Sequence, residues 1–380
     1  ARGFNIIQRI SLILLHVILF IIRGSFPKHW IVKSLPITFN SPFQTNDIKQ
    51  ICPMIFEESS KEKNLCLTYP NMMVSIVYGA KLGLVECAQQ FKFERWNCTF
   101  NESFPNMMTH HLHEMTVRSV KETAFLFSIW SSGVVYSITN SCSKGDLKEC
   151  YCDPQRHGQD KDGSGDFTWG GCSDHIKFGM KVSTIFLDNH DRKDQTGRSL
   201  MNQHNNRVGR RVVWKTRLKK CKCHGVSGAC SLRTCWQRMN DFRRIGDMLK
   251  KLYNKPQKVS YNPFQKSLTF SRNQFRRPSK KRLVYIEQSQ DYCIQDLTIG
   301  HPGTGGRECN YTSSQHDSCS ELCCNRGHYA YEMVVEENCD CKFFWCCEVD
   351  AKYAGERYSC IDVNIQCGEE VVHRQQSYSI

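Results

Sequence analysis

The sequence predicts a mainly α-helical N-terminal domain with disulfide-stapled β-hairpins, followed by a small cysteine-rich C-terminal domain built on a β-hairpin. Three observations lead to this prediction. The 380 residues are enough for two domains. Apolar residues recur at helical spacing through much of the first 253 residues. The 23 cysteines are clustered, and eleven lie between Cys293 and Cys367, where so short a segment depends on disulfides for its core.

Residues 1–25 have the pattern of a secretory signal peptide. Arg2 and Arg9 precede an apolar run from Ile10 to Ile22, which is the order of the charged and hydrophobic regions of such a peptide. The run is short for a membrane span. Because cysteine-dense chains also belong to oxidising compartments, we expect a protein secreted to the extracellular space and matrix. The odd cysteine count leaves at least one cysteine free or paired between chains.

Residues 26–253 are expected to form the helical domain. Asn71 is placed to cap a helix whose apolar stripe runs from Met73 to Phe91. Ser173 is placed to cap a later helix. The remaining helices are expected over about 113–139 (one helix, or two joined near Gly133), 199–214 and 236–253.

Residues 254–284 are predicted to be a basic, mobile linker, because Lys, Arg, Ser, Asn and Pro dominate them. Residues 285–380 form the predicted cysteine-rich domain. Its apolar run from Phe343 to Val349 is expected to be a hairpin with an exposed aromatic tip. Since an exposed apolar patch marks an interaction site, this tip is a candidate binding surface.

The stretch 221–236 is the centre of the chain's cysteine pattern, with four cysteines in fifteen residues. Across a tight turn the natural pairs are Cys223 with Cys230 and Cys221 with Cys235. Each closure limits the unfolded state by roughly 2–3 kcal/mol in the chain-entropy model.

Ser227 lies at the tip of this stretch, between Val226 and Gly228. The pattern predicts a rigid platform that presents the serine hydroxyl. Three alternatives compete: a zinc site built from the four cysteines, a serine hydrolase elbow, and a stapled loop with no function. The elbow is disfavoured because Ala229 stands where that motif needs glycine.

The net charge is +14, and much of it lies in basic clusters. In an extracellular chain these favour heparan sulfate or an acidic receptor face over nucleic acid, and a merely solvated basic surface is the alternative. The clusters are Arg207–Arg211, Arg217–Lys220 and Arg276–Arg282.

Three glycosylation sequons begin at Asn97, Asn101 and Asn310. From position alone, Cys52 is expected to pair with Cys66. A Cys87–Cys98 pair would tie the first long helix to the loop that follows it.

Several motifs together resemble those of the Wnt secreted signalling proteins, over about Cys52 to Cys360. The longest is Cys221-Lys-Cys-His-Gly-Val-Ser-Gly-Ala-Cys-Ser-Leu-Arg-Thr-Cys-Trp236. The supporting matches are Arg95-Trp-Asn-Cys-Thr99, Trp169-Gly-Gly-Cys-Ser173, His204-Asn-Asn206, Gly306-Arg-Glu-Cys-Asn310 and Phe344-Trp-Cys-Cys347.

The resemblance implies two hairpins that grip the cysteine-rich domain of a Frizzled receptor. It implies a mono-unsaturated fatty acyl ester on Ser227, attached by the acyltransferase Porcupine, and a carrier such as Wntless. The linker would lie near the surface used by a lipoprotein-receptor-related co-receptor. Ala229 replaces a second serine of the family, which leaves Ser227 as the only hydroxyl in the inner loop. The implied receptor-binding residues are Val226, Ser227, Gly228, Phe344, Trp345, Cys346 and Cys347.

The resemblance also implies a disulfide pattern. Ala351 and Ala354 stand where the family has the partners of Cys339 and Cys341, so we predict that one of those two pairs with Cys367. The implied pairs are Cys87–Cys98, Cys142–Cys150, Cys152–Cys172, Cys221–Cys235, Cys223–Cys230, Cys293–Cys324, Cys309–Cys319, Cys323–Cys360 and Cys346–Cys347.

The sequence therefore predicts a lipidated extracellular ligand that brings Frizzled and a co-receptor together in development. No nucleophile–base–acid set is present, so we do not expect an enzyme. The resemblance displaces the zinc and hydrolase alternatives, and we expect neither a cofactor nor a metal site. The alternative is a cysteine-rich, heparin-binding matrix protein.

Overall fold

The computed structural model describes residues 49, 52–53, 56, 60–98, 115–156, 167–270, 276–296, 301–336 and 359–367. The side chains of residues 190, 193, 330–336 and 359–367 are outside this description. Backbone contacts divide the chain into two units, residues 1–90 with 100–289 and residues 91–99 with 290–380.

The first unit is mainly helical, as the sequence predicts. Short helices begin at well-formed caps: the Ser60 hydroxyl accepts a hydrogen bond from the Lys63 N–H at 3.1 Å. The helices are α1 (Lys61–Thr68), α2 (Pro70–Gln90), α3 (Lys121–Lys144), α4 (Ile176–Asp194), α5 (Gly197–Thr216) and α6 (Phe242–Tyr253).

Helix α3 is the centre of this unit, with α2, α4, α5 and α6 packed against it. Every residue from Glu122 to Val135 is buried, which is typical of a helix enclosed on all sides. Glycines let the neighbouring backbones approach closely. A Cβ on Gly133 would lie 2.0 Å from the Gly79 carbonyl oxygen of α2, and a Cβ on Gly209 of α5 would lie 2.0 Å from the Ser128 carbonyl oxygen.

Hydroxyl groups inside this packing bond to backbone carbonyls of neighbouring helices. Ser131 Oγ donates to the carbonyl oxygens of Ser128 and Asn206, both at 2.9 Å. Ser183 Oγ of α4 donates to the Ser131 carbonyl at 3.3 Å. The buried serines of α3 therefore tie the bundle together without leaving unpaired hydroxyls at these positions.

Two predicted helix caps are wrong. Helix α2 begins at Pro70, whose fixed φ and missing N–H suit the first helical position, so Asn71 lies inside the helix. Helix α4 follows His175, which makes no side-chain cap. Ser173 instead accepts a hydrogen bond from the Gln237 N–H at 3.1 Å.

The boundaries of two predicted helices also differ. The apolar segment around Gly133 forms the single helix α3, because the glycine sits at a helix crossing and does not break the helix. The helix predicted from Trp236 begins only at Phe242, since Trp236 belongs to a strand. Local apolar spacing did not reveal that strand.

The strands in the described part of the first unit form three small sheets. Strand β3 lies between β1, which runs parallel to it, and β2, which runs antiparallel. Strands β4 and β7 pair in parallel, and β5 pairs with β6 as a hairpin. The strands are β1 (Thr168–Trp169), β2 (Leu218–His224), β3 (Leu232–Arg238), β4 (Gln257–Lys258), β5 (Ser260–Asn262), β6 (Ser267–Thr269) and β7 (Val284–Tyr285).

The prediction that residues 254–284 form a mobile linker is wrong for the described part of that segment. Strands β4 to β7 come from it, and Val259, Leu268 and Val284 pack with Met201 of α5 in one buried cluster. These apolar residues are too far apart in sequence to form a periodic pattern, so composition alone suggested a linker.

The second unit holds a three-stranded sheet in the order β8, β10, β9. Strand β10 is antiparallel to both neighbours, with Cys360 opposite Val335 and Cys367 opposite His328. Residues 337–358 lie outside the described part, so the predicted aromatic hairpin stays a prediction. The elements are β8 (Glu308–Cys309), α7 (Cys319–Leu322), β9 (His328–Glu336) and β10 (Ser359–Cys367).

Glu86 is a buried carboxyl where α2 meets α6. Burial raises its pKa above the ordinary 4.5, and a hydrogen bond from Gln90 and the charge of Arg243 only partly oppose this effect. A carboxyl whose pKa is raised by folding stabilises the protein fully at low pH. That contribution is lost as pH rises through the pKa of the folded state.

A Glu86→Gln variant is therefore expected to unfold at a higher temperature than the wild type at pH 7. The two midpoints should converge below pH 4, where Glu86 is protonated in both states. The lost ion pair with Arg243 matters little, because that side chain is 59% exposed and 4.0 Å away. Thermal unfolding followed by circular dichroism between pH 3.5 and 7.5 tests this; a constant difference across that range contradicts it.

Candidate functional site

The candidate site is the hairpin formed by β2 and β3. Its strands place Cys221 directly opposite Cys235, and these two cysteines form a disulfide. A second disulfide joins Cys223 to Cys230 at the end of the hairpin. All four cysteines of this stretch are thus in disulfides, which leaves none of their thiolates to bind zinc.

The tip is one turn of 3₁₀ helix over Val226–Gly228. The N–H groups of Gly228 and Ala229 donate to the carbonyls of Gly225 and Val226, at 3.1 and 3.2 Å. Gly225 is required here, because a Cβ would lie 2.3 Å from the Ala229 carbonyl oxygen. The turn is therefore ordered by its own backbone.

Ser227 is exposed in this turn with φ 56° and ψ 28°. This left-handed conformation is uncommon for a residue with a side chain and persists only where the surroundings enforce it. Val226 beside it is 91% exposed, and Gly228 follows with φ 81°. The arrangement exposes one hydroxyl and one apolar side chain at the tip.

The segment Trp169–Ser173 clamps the base of the hairpin. Strand β1 pairs with β3, and the Gly170 N–H donates to the Cys235 carbonyl at 3.0 Å. A Cβ on Gly170 would lie 2.3 Å from the Thr234 methyl group, so this close approach needs glycine. The disulfide Cys152–Cys172 and the hydrogen bond to Ser173 hold the clamp itself.

Cations stacked on aromatic rings surround the same base. The Arg217 guanidinium lies 4.0 Å from the ring centre of Trp214, and Lys219 Nζ lies 4.4 Å from that of Phe167. Burial, and secondarily the charge of Arg156, lower the pKa of Arg217. These contacts are worth about 0.5–1 kcal/mol each at exposed sites and further fix the hairpin.

Some of the motifs that resemble the family hold backbone segments in place. In His204-Asn-Asn206, Asn205 forms two 3.0 Å hydrogen bonds with the backbone of Val284, one as donor and one as acceptor. His204 Nε2 lies 2.9 Å from the Arg282 carbonyl oxygen, and burial lowers the pKa of this imidazole. This motif therefore holds β7 against α5.

Two further motifs, Arg95–Thr99 and Gly306–Asn310, lie in the second unit. Arg307 donates to the carbonyl oxygens of Arg95 and Lys92 at 3.0 and 2.9 Å. Arg95 Nε in turn donates to the Glu321 carbonyl at 3.1 Å. Burial lowers the pKa of Arg307. The motifs Arg95–Thr99 and Gly306–Asn310 therefore meet through these side chains.

The predicted glycosylation residues have different surroundings. Asn310 is exposed, and its Oδ1 accepts hydrogen bonds from the Thr312 N–H and hydroxyl at 3.1 and 2.9 Å. Asn97 is half-buried beside the buried, disulfide-bonded Cys98. Asn101 lies outside the described residues. Accessibility therefore favours the sequon at Asn310.

The other candidate receptor-binding residues, Phe344 to Cys347, also lie outside the described residues, as do Cys339 and Cys341. Cys87, Cys98 and Cys323 are disulfide-bonded. The disulfides among the described residues include Cys52–Cys66, Cys142–Cys150, Cys152–Cys172, Cys221–Cys235, Cys223–Cys230, Cys293–Cys324 and Cys309–Cys319.

Together the fold and the site define a disulfide-stapled helical protein that presents one serine on a braced hairpin tip. A family model described as the wnt family matches residues 56–361. Protein Wnt-2b-A of Xenopus laevis is 44% identical over 306 residues, which are 80% of this chain and 86% of that protein. The chain belongs to the Wnt family, whose members are signalling ligands.

A solved structure is also similar. A chain in the structure of human WLS in complex with WNT8A matches with a TM-score of 0.57 and 33% identity, covering 84% of this chain and 99% of that one. Within the described residues, no helix has both the length and the apolar character needed to cross a membrane.

Proposed function

We propose that this protein is a secreted ligand that binds the cysteine-rich domain of a Frizzled receptor through a fatty acyl ester on Ser227. The observation that carries the proposal is the exposed, left-handed Ser227 on a tip held by two disulfides and by the β1 clamp. Because this tip is already ordered, binding would immobilise few further groups and would cost little conformational entropy. The exposed Val226 and Gly228 flank the attached chain, and residues 344–347 supply the second contact.

The acyl chain can account for much of the affinity. Burial contributes about 0.8 kcal/mol per CH₂ group, so a long chain offers on the order of 10 kcal/mol gross. An acyltransferase of the Porcupine type attaches this chain. Because the acylated protein would be poorly soluble in water, its transport needs a carrier. The similar WNT8A was solved in complex with WLS, which supports Wntless as that carrier.

A second surface suits the co-receptor. Phe264 is 96% exposed at the tip of the β5–β6 hairpin. Its position is fixed because Asn262 Oδ1 accepts hydrogen bonds from the N–H groups of Phe264 and Gln265, at 3.0 and 3.1 Å. An aromatic side chain held this way is a suitable anchor for a lipoprotein-receptor-related protein.

A Ser227→Ala variant made with Porcupine present is expected to lack the fatty acyl mass on its Cys223–Cys230 peptide. Losing even a third of the gross acyl contribution lowers affinity for a Frizzled cysteine-rich domain by about 200-fold. Peptide mass spectrometry and binding to the isolated receptor domain measure both effects. The matched control is Ser231→Ala, which removes an exposed hydroxyl just outside the inner loop.

An unmodified Ser227 in protein that still binds Frizzled would mean that the loop works by protein contacts alone. The alternative, a matrix protein, predicts full biological activity for Ser227→Ala.

A further inference from the structure

The hairpin of β2 and β3 carries basic side chains and no acidic ones. From Arg217 to Arg238 the sequence has six lysines and arginines and neither aspartate nor glutamate. Their positive charges are therefore not neutralised from within the hairpin. The exposed ones are Lys219, Lys220, Lys222, Arg233 and Arg238.

Only some of these charges have a counter-charge elsewhere in the fold. Arg238 Nε lies 3.9 Å from a carboxylate oxygen of Asp174. Among the described residues, no carboxylate oxygen lies within 4.0 Å of Lys220, Lys222 or Arg233. These three cations are therefore available to an external anion.

Two of the three cations share one face of the hairpin with an exposed leucine. Side chains alternate along a strand, and directly opposite residues of antiparallel strands lie on the same face. Lys220 and Lys222 are two residues apart on β2, and His224, two residues further on, lies opposite Leu232. Leu232 is 55% exposed. This face therefore carries two ammonium groups behind an apolar side chain.

The spacing along the hairpin suits the boundary between water and lipid. Val226 is 91% exposed at the tip itself. A strand rises about 3.4 Å per residue, so Lys222 and Lys220 lie about 7 and about 14 Å behind His224. Interfacial segments bury their apolar groups about 5–10 Å into the boundary between headgroups and acyl chains. With Val226 and Leu232 at that depth, the two ammonium groups reach the headgroups.

We propose that the hairpin face with Lys220, Lys222 and Leu232 docks onto a membrane surface that contains anionic phospholipid headgroups. A single acyl chain gives only marginal, reversible membrane binding, and a basic patch beside it supplies the second attraction. The contribution of the acyl chain rests on the function proposed above for Ser227. The contacts of the lysines and the leucine need no modification.

The test is co-sedimentation of the full-length secreted protein with vesicles of phosphatidylcholine, alone or mixed with phosphatidylserine. The protein is expected to prefer the mixed vesicles, and added salt should weaken that preference. A Lys220→Gln/Lys222→Gln variant is expected to bind the mixed vesicles about 30-fold more weakly, about fivefold for each cation removed. The same factor is expected in the wild-type and the Ser227→Ala backgrounds, because the lysines act independently of the acyl chain.

Two further variants separate the charge from its position and from the apolar contact. Arg244→Gln/Lys251→Gln removes the same charge from exposed positions on α6 and should bind like its parent. Leu232→Ser should weaken binding to both kinds of vesicle, since an apolar contact does not depend on headgroup charge. Unchanged unfolding midpoints, with weaker vesicle binding for the hairpin variants alone, support the site.

Three results would overturn the proposal. Equal losses in the two double variants would show that only net charge matters. Unchanged vesicle binding, with precipitation of the Lys220→Gln/Lys222→Gln variant, would show that the lysines only protect β2, which lies at the edge of its sheet, from pairing with other chains. Weaker retention of that variant on heparin, without any preference of the parent for phosphatidylserine, would identify a soluble polyanion instead.

The result for this surface can be told apart from the result for Ser227. If mass spectrometry finds Ser227 unmodified, the proposed acyl ester fails, whereas lysine-dependent vesicle binding still supports the docking face. If Ser227→Ala loses Frizzled binding but vesicle binding does not depend on the lysines, only the docking face is overturned.

Discussion

A Gly133→Ala variant is expected to disappear from the culture medium or to unfold far below the wild type. The added Cβ would lie 2.0 Å from the Gly79 carbonyl oxygen and 3.2 Å from the Gly83 nitrogen. Both are backbone atoms of α2, so no side-chain rotation relieves the contact. We expect a loss of about 3 kcal/mol or more, the upper range for overpacking. In a domain of this size this lowers the midpoint by about 6 °C or more.

The expected loss of stability is opposite in sign to the usual effect of replacing glycine by alanine in a helix. At an exposed position in a helix, Gly→Ala stabilises by about 1 kcal/mol. Gly305→Ala is the control, because Gly305 is exposed and a Cβ there would meet no heavy atom within 4 Å beyond its chain neighbours. Secreted yield and thermal unfolding are compared for the two variants. If Gly133→Ala unfolds at the wild-type temperature, the close α2–α3 crossing is not present in solution.

An Asp188→Ala variant is expected to lose about 3–5 kcal/mol of folding free energy. Asp188 accepts two hydrogen bonds from Arg210, at 3.0 and 2.6 Å, and a third from Asn206 at 3.1 Å. Both side chains of the ion pair are about 95% buried. Removing the carboxylate leaves a buried guanidinium without its counter-charge, which costs far more than an exposed ion pair contributes.

The double variant Asp188→Leu/Arg210→Met distinguishes an ion-pair effect from general damage. Replacing both charges by apolar side chains of similar size is often nearly neutral, so it should recover most of the stability that Asp188→Ala loses. Urea unfolding of the wild type, Asp188→Leu, Arg210→Met and the double variant gives the coupling energy of the pair. Additive losses in the double variant would contradict the proposed role of the pair.

The sequence predicted the parts of this protein that depend on local patterns. The apolar stripe of α2 is buried from Met73 to Cys87, and the cysteines that flank Ser227 pair across a short turn. Both features depend on spacing within a few residues. The resemblance to the family added the significance of Ser227, which spacing alone could not supply.

The features that the sequence did not predict come from contacts between distant segments. Strand β1 is only two residues long, and it is a strand because β3 pairs with it. Likewise, β7 is held by Asn205 across the gap between α5 and residue 284. No local periodicity encodes such pairs. Composition therefore suggested a linker where the chain is folded.

The parallel pairing of β1 with β3 has a consequence for the order of assembly. The disulfide Cys223–Cys230 joins cysteines only seven positions apart, so closing its loop costs little chain entropy. The clamp on the base of the same hairpin forms only when β1 pairs with β3 across the whole of α4 and α5, a contact of high sequence separation. The tip can therefore close early while its orientation is set late. Ser227 therefore reaches its final orientation only after the helical bundle has formed.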